Sequence, residues 1–437
     1  IFIEETSLNK IGFDSRKVKS VSSGIVCGAG IRVIYGRSFV YLYCSDPTEE
    51  KLLDLAEQAS QAVIAEATGV HPLGKLQEAE IHKIMIPPES VETEKKIALV
   101  LEADSAARDY SPLVKEVLVN YLDTTQQVTL VNSDGVFARD NRTRTRFIVT
   151  SVAEKGDQKE TGFYGPGRSM GFEFFKEFTP QKIAQESARI ACLLLDADFA
   201  PQGIMPVVIE NAFGGVIFHE ACGHALEATS VADNASVFAG KLGEKIASPV
   251  VSAVDDGTIP GAWGSAAFDD EGERTRKNLL IQEGVLKSYL VDKLGSIKMN
   301  HPVTGSGRRE SYKYPPTSRM SNTYIAPGNS TLKEMLSTID HGIYCAKMGG
   351  GSVEPATTDF NFSVQEAYLI KAGKIDKPLK GAALIGKGRD IIKNIEMVGD
   401  NLDFGTGMCG SVSGSVPAFV GQPAIKVSGL VVGGRGQ

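Results

Sequence analysis

What this 437-residue chain lacks narrows its class before any motif is considered. No apolar run approaches the about 20 residues a membrane-spanning helix needs, so no membrane role is expected. Positive charge is not in excess. The 46 Lys and Arg stand against 53 Asp and Glu, a net charge of −7, which gives a phosphate backbone no electrostatic footprint, so direct nucleic-acid binding is not expected. The six cysteines, Cys27, Cys44, Cys192, Cys222, Cys345 and Cys409, contain no CxxC pair. Free thiols in a reducing compartment fit that scatter better than a disulfide framework. A cytoplasmic location is expected, and a chain starting at Ile1 leaves room for an upstream segment, a cleaved signal included. Histidine is scarce as well, with six in the whole chain.

What is present reads as an ordinary folded protein. Hydrophobic residues at 42% and charged residues at 23% lie near globular averages, and the length suffices for two or three domains. Residues 1–196 pattern as an α+β domain. Alternation punctuated by glycine predicts strands at 25–26, 31–34 and 39–43. Asp46-Pro47-Thr48-Glu49 then offers a cap, a proline at the first helical position and a glutamate at the third. Leu52, Leu55, Ala56, Ala59 and Val63 continue at helical spacing, with Gly69 as terminator. A second helix is expected over 92–108, strands over 117–121 and 127–131, a turn at Asn132-Ser133-Asp134-Gly135, and a helix opening at Thr179-Pro180. Arg142, Arg144 and Arg146, interleaved with Thr143 and Thr145, read as the solvated face of a strand. The glycine-rich stretch 156–170 reads as a mobile loop. Beyond a Pro201-Gln202-Gly203 linker, residues 203–437 pattern as a mostly antiparallel β domain enclosing one helix. Hairpin signals at Glu283-Gly284 and Ala372-Gly373 hint at a quasi-repeat.

That one helix carries the chemistry. Val216-Ile217-Phe218 leads into His219-Glu220-Ala221-Cys222-Gly223-His224, an HExxxH sequence. Two imidazoles can ligate zinc, while Glu220 can accept a proton from metal-activated water. The familiar zincin motif spaces its histidines four apart, leaving them roughly 40° apart around the helix. A spacing of five puts His219 and His224 roughly 140° apart, so the helix must widen or bend for both to reach one ion, with Gly223 the place for a π-bulge.

A catalytic zinc also needs a third protein ligand and an open position. Glu227, three residues beyond His224, can coordinate or support a ligand; Cys409, in the Gly405-to-Gly410 loop, can supply a thiolate. Chemistry alone leaves the two nearly even. Cys222, His301 and His341 read as structural, and Asp269-Asp270-Glu271-Gly272 reads as a charged turn because it lacks the ligand alternation of a calcium loop. Arg308, Arg309 and Tyr312, followed by Tyr314, Pro315, Pro316 and Arg319, combine guanidinium forks with aromatics and can grip a carboxylate or a peptide backbone as readily as form a salt-bridged loop.

The residues together resemble the TldD/PmbA metallopeptidases. The likeness runs through HEACGHALEA at 219–228, SVFAGKLGEKIAS at 236–248, FDDEG at 268–272, RRESYKYPP at 308–316, RMSNTYIAPG at 319–328 and the Cys409-Gly410 segment. The PmbA branch lacks the metal motif, so His219, Glu220 and His224 place the resemblance on the TldD side. It implies zinc held by His219, His224 and Cys409, with Glu220 as general base, and thereby favours Cys409 over Glu227 as third ligand. It also implies a homodimer or a heterodimer with a PmbA-like subunit, taking up unfolded peptides as an added β-strand. The family commonly continues its cysteine as Cys-Gly-Lys, whereas here Ser411 follows Gly410, so contacts of that lysine have no counterpart. The rival expectation is a non-proteolytic regulatory or binding subunit of the modulator-of-DNA-gyrase type.

Overall fold

The computed structural model describes residues 1–63, 71–354 and 357–434. It is a mixed α+β protein, and the first half is organised on one long antiparallel sheet. Its strands run in the order Ser38–Ser45, Lys17–Tyr35, Phe2–Asp14, Val114–Val131 and Phe137–Lys155. Alternation decides which face is buried. Val117, Val119 and Tyr121 point inward, as a period of two requires, and meet Val100, Ala103 and Ala107 of helix Thr93–Tyr110 and Ile183, Ala184 and Ala188 of helix Pro180–Leu195. Thr179 caps the second of these helices by accepting the Lys182 N–H.

The first helix, Glu49–Gln61, starts later than the Asp46-Pro47 pattern suggests. Asp46 has φ 57°, so it turns the chain out of the preceding strand, and Thr48 is the residue that caps, accepting the Lys51 N–H. The helix ends at Gln61; the expected terminator Gly69 lies outside the described residues. The stretch 156–170 is likewise not a loop. It forms strands Gln158–Tyr164 and Gly167–Arg168 on the sheet. Gly162 serves close approach, since a Cβ on it would lie 2.1 Å from the Ser187 carbonyl oxygen of the packed helix.

Further along, strands His341–Glu354, Gly203–Ile209, Ile425–Gly433, Ala383–Lys387 and Asp359–Lys371 pair in that order, and the last pairs back onto the first. The five therefore close a barrel, which removes exposed sheet edges. A separate sheet runs Val285–Leu286, Lys277–Gln282, Ala253–Asp256, Asn322–Ile325, Gly414–Gln422 and Asp403–Ser411. Both expected hairpins form with two consecutive positive φ values, 48° and 83° at Glu283-Gly284 and 48° and 76° at Ala372-Gly373, the turn that suits strand twist. They belong to different sheets, so they are not copies of one repeating unit.

The HExxxH segment packs on the barrel. Val216, Ile217, Phe218, Ala221, Cys222, Ala225 and Leu226 share one buried cluster with Val207, Ile209, Ile343, Phe362 and Val427. Among the described residues no helix is long and apolar enough to cross a membrane.

One expectation is overturned where the two halves meet. Arg142 and Arg144 are buried, not solvated, because the 263–270 segment covers their strand face. Arg142 pairs with Asp140 at 3.0 Å and Asp270 at 2.7 Å and donates to the Phe268 carbonyl. The Asp269-Asp270 turn is correspondingly buried; Asp269 accepts the N–H groups of Glu271, Glu273 and Gly307. An Arg/Thr alternation looks the same whether water or an acidic turn lies opposite. Arg142→Met should leave Asp140 and Asp270 buried without their cation and lower folding stability by about 3–5 kcal/mol. Urea denaturation reads this directly, and an unchanged midpoint would show that the pair does not hold the halves together.

Candidate metal centre

The helix that presents His219 and His224 is not a continuous α-helix. It runs as an α turn at Val216–Phe218, a π turn at His219–Gly223 and a 3₁₀ turn at His224–Leu226, with the His224 N–H bonded to the His219 carbonyl. The π turn inserts the residue that a five-residue spacing requires. Both rings then reach one thiol: His219 Nε2 lies 3.2 Å and His224 Nε2 3.3 Å from Cys409 Sγ. The two rings stand at 85° with centroids 5.1 Å apart, and the three donor atoms lie within 4.8 Å of one another. Gly223 itself is ordinary helical backbone, φ −56°. Its need for glycine comes from Met320, whose sulfur would lie 2.1 Å from an added Cβ. Gly388 seals the other side of the turn, since a Cβ there would fall 2.0 Å from the Ala221 carbonyl oxygen.

Cys409 lies on a strand, Asp403–Ser411, rather than in the loop suggested by its glycines. It is buried beside Val416 and Ala418. Glu227 is placed behind the donors: its carboxylate is 3.1 Å from His224 Nδ1, the position of a group that orients a metal-binding imidazole. His219 has no such support, its Nδ1 being buried without a hydrogen-bond partner among the described residues. Packing and the contact of its Nε2 with Cys409 Sγ set that ring.

Arg319, read from the sequence as part of a segment able to grip a ligand, instead supports the strand that carries Cys409. It is fully buried, donating to the Cys409 carbonyl, to Ser413 Oγ at 2.9 Å and to the Gly414 carbonyl at 3.0 Å. Its Nε lies 3.8 Å from Glu227, an ion pair too long for a hydrogen bond. Nothing in the sequence separates a ligand-gripping guanidinium from one that supports a distant strand.

The electrostatics of the cluster are those of a cation site. Burial would raise the Cys409 thiol, but charge and hydrogen bonding from His219 and then His224 bring it down to about 3, so it stands as a thiolate. Burial lowers His224, but Glu227 and Cys409 outweigh it and hold a proton on the ring well above the usual range. A divalent cation would displace the Nε2 proton and satisfy the Cys409 thiolate, while Glu227 keeps the Nδ1–H. Two imidazoles and a thiolate form a donor set that suits a borderline-soft metal. Glu220 lies at the rim, partly exposed, with its carboxylate 3.6 Å from His224 Nε2.

Other candidates sort away from the donors. Cys222 is in the core, where burial pushes its thiol well up. His301 is half-buried with its Nδ1 2.8 Å from the Pro302 carbonyl, and His341 is exposed at a strand start. Tyr312 is buried against the first sheet, its N–H donating to Glu4 and its ring lying over Gly28. Arg309 bonds Tyr41 and the Asp270 carbonyl and lies over the Phe2 ring. Arg308 donates to the Met320 carbonyl, one residue from Arg319.

Three family models cover the chain: the PmbA/TldA metallopeptidase domain 1 at residues 1–63, central domain at 86–195 and C-terminal domain at 202–434. A metalloprotease TldD homolog of Haemophilus influenzae is 37% identical, covering 95% of this chain and 89% of that one. A metalloprotease of Methanocaldococcus jannaschii is 32% identical, with 97% and 94% covered. The fold matches a proposed modulator of a DNA gyrase from Thermotoga maritima at TM-score 0.80 and 19% identity, covering 99% of this chain and 95% of that one. It also matches TldE of Thermococcus kodakarensis at TM-score 0.77 and 18% identity, covering 99% and 96%. An α+β chain with this donor cluster and these relatives is of the metallopeptidase class. It belongs to the PmbA/TldA metallopeptidase family, on the TldD side.

Since Glu227 holds His224 at its Nδ1, Glu227→Gln should weaken metal binding about 10–100-fold. Competition against a chelator of known affinity measures it; parental affinity in the variant would remove Glu227 from the support of the site.

Proposed function

We propose that the chain is a zinc-dependent peptidase acting on unfolded peptides, with His219, His224 and Cys409 as zinc ligands and Glu220 as general base. The observation that carries this reading is the open three-donor cluster with a carboxylate at its rim. Structural zinc sites are closed by four protein ligands, whereas catalytic sites keep a position free. Zinc distances of about 2.0–2.1 Å to nitrogen and 2.3 Å to sulfur imply a tetrahedral N···S edge of roughly 3.5 Å, close to the 3.2 and 3.3 Å separations. A Saccharolobus solfataricus relative, 27% identical over 95% of this chain, is named a zinc metalloprotease TldD homolog, which supports the choice of metal.

When bound, zinc supplies Lewis acidity that acidifies water and polarises a peptide carbonyl. Glu220 takes the proton from the attacking water and returns it to the leaving amine. Glu227 holds His224 at its Nδ1, and Arg319 holds the Cys409 backbone. Cys222 stays an inert thiol in the core. That peptides enter as an added strand rests on the family resemblance and on the sequence tolerance of backbone pairing. The fold shared with a TldE over 99% of the chain supports pairing with a PmbA-like subunit, and we assign 1–196 and 203–437 as the two domains, in a homodimer or such a heterodimer.

The gyrase-modulator description of the Thermotoga neighbour keeps a non-proteolytic reading in view, and metal content combined with cleavage separates the two. The purified chain should hold about one zinc per three-donor site, and Glu220→Gln should retain it while cleaving an unfolded peptide about 10²–10⁴-fold more slowly. Absence of bound zinc, with no gain in cleavage on adding it, would overturn the peptidase reading. Parental cleavage by Glu220→Gln would remove Glu220 as the base.

A further inference from the structure

A second polar site lies where the first sheet meets the later half of the chain. A cavity of about 190 Å³ is lined by Thr6, Arg142, Arg144, Arg308 and Arg309, among others. Its donors are unevenly matched. Arg142 is neutralised by Asp140 and Asp270. Among the described residues Arg144 has no carboxylate partner; it is buried, and the one bond it makes runs from Nε to the Trp263 carbonyl, 3.1 Å away. Arg308 also lacks a carboxylate partner and bonds only the Met320 carbonyl. Arg309 Nε and Thr6 Oγ1 are buried with no hydrogen-bond partner among the described residues.

The acids on the wall are already engaged. Asp269 accepts three backbone N–H groups, Asp270 accepts Arg142 and the Arg309 N–H, and Glu310 accepts the Ser415 N–H. Buried donors left without acceptors, and guanidiniums left without counter-charge, are costly in a folded protein. Burial and then the neighbouring Arg142 and Arg308 bring Arg144 down to about 9 against the pull of Asp140 and Asp270, and burial brings Arg308 to about 10 against the pull of Asp270.

We infer that this cavity binds a carboxylate, from a small organic acid or the free C-terminus of a peptide. The unmatched guanidinium nitrogens can only donate and the Thr6 hydroxyl can donate, so the ligand must offer acceptors, and guanidinium forks fit a planar carboxylate. Of the four guanidiniums that line the cavity, Arg144 and Arg308 have no carboxylate partner among the described residues, which leaves their forks for a planar carboxylate. A phosphate dianion would confront Asp270 and Glu310 on the same wall. The cavity is separate from the metal donors. Met408 lines it, and Met408 and Cys409 are consecutive on one strand, so their side chains take opposite faces.

Calorimetric titration of the full chain tests this without depending on peptide cleavage. The probes are propionate, N-acetylalanine, N-acetylalanine amide and inorganic phosphate. N-acetylalanine should bind at least tenfold tighter than its amide, and Arg144→Met and Arg308→Met should each erase that preference, while Arg144→Lys keeps part of it. Propionate binding as well as N-acetylalanine identifies a small-acid site, and N-acetylalanine binding tenfold tighter than propionate identifies a peptide-end site; both support the carboxylate. The inference is overturned by equal binding of acid and amide, by no binding of any probe, by phosphate binding tightest, or by a preference that survives in both methionine variants and so resides elsewhere, at the metal site for example. Loss of peptide cleavage with carboxylate binding intact would count against the peptidase reading alone.

Discussion

The candidate site depends on one buried guanidinium. Arg319 reaches the Cys409 carbonyl, the Ser413 and Gly414 turn that follows it, and the Glu227 carboxylate. It therefore joins the strand that carries the thiol to the group that aims His224. Desolvating a guanidinium costs several kcal/mol, and three donated hydrogen bonds plus a nearby carboxylate are what offset it here. The thiol and the two imidazoles lie 190 and 185 residues apart in sequence, and nothing local holds them together. Arg319 makes the distance between them a property of the folded chain.

Around that link, tight packing replaces hydrogen bonding as the means of control. The π turn displaces backbone outward, and Gly388 and Gly223 let the Ala221 carbonyl and the Met320 side chain fill the space without a Cβ in the way. His219, without a partner on its second nitrogen, takes its orientation from this packing and from its contact with Cys409, whereas His224 is held as well by Glu227. The two histidines are thus held by different physics. Substitutions in the core beneath the helix act on His219, and changes of charge behind it act on His224.

Much of this was legible in the residues because short-range rules govern it. The HExxxH spacing by itself demanded a widened helix, the two hairpins followed from their turn residues, and the Thr179 cap from its hydroxyl. What was not legible depends on what lies opposite. The tie between Glu227 and Cys409 could not be broken from chemistry, since both are within reach of His224 and only the fold separates a ligand-distance thiol from a carboxylate on the far nitrogen. The Arg142 and Arg144 face looked solvated because the covering segment is more than 100 residues away. Cys409 looked like a loop residue because glycines flank it, yet those glycines let an edge strand lie against Phe213.

The same long-range reasoning links the two polar sites. Arg308 donates to the backbone of Met320, the residue whose side chain packs on Gly223 under the π turn, and Arg319 is its chain neighbour. Arg308, Arg319 and Met320 thus form a short rigid path from the carboxylate cavity to the helix bearing His219. Such a path conveys a change only if one of its members has two discrete arrangements. Met320, unbranched and fully buried, is the member whose side chain can repack without breaking a hydrogen bond. The backbone carbonyl it offers to Arg308 is fixed, so any coupling between the sites would run through its sulfur against Gly223 and not through the strand.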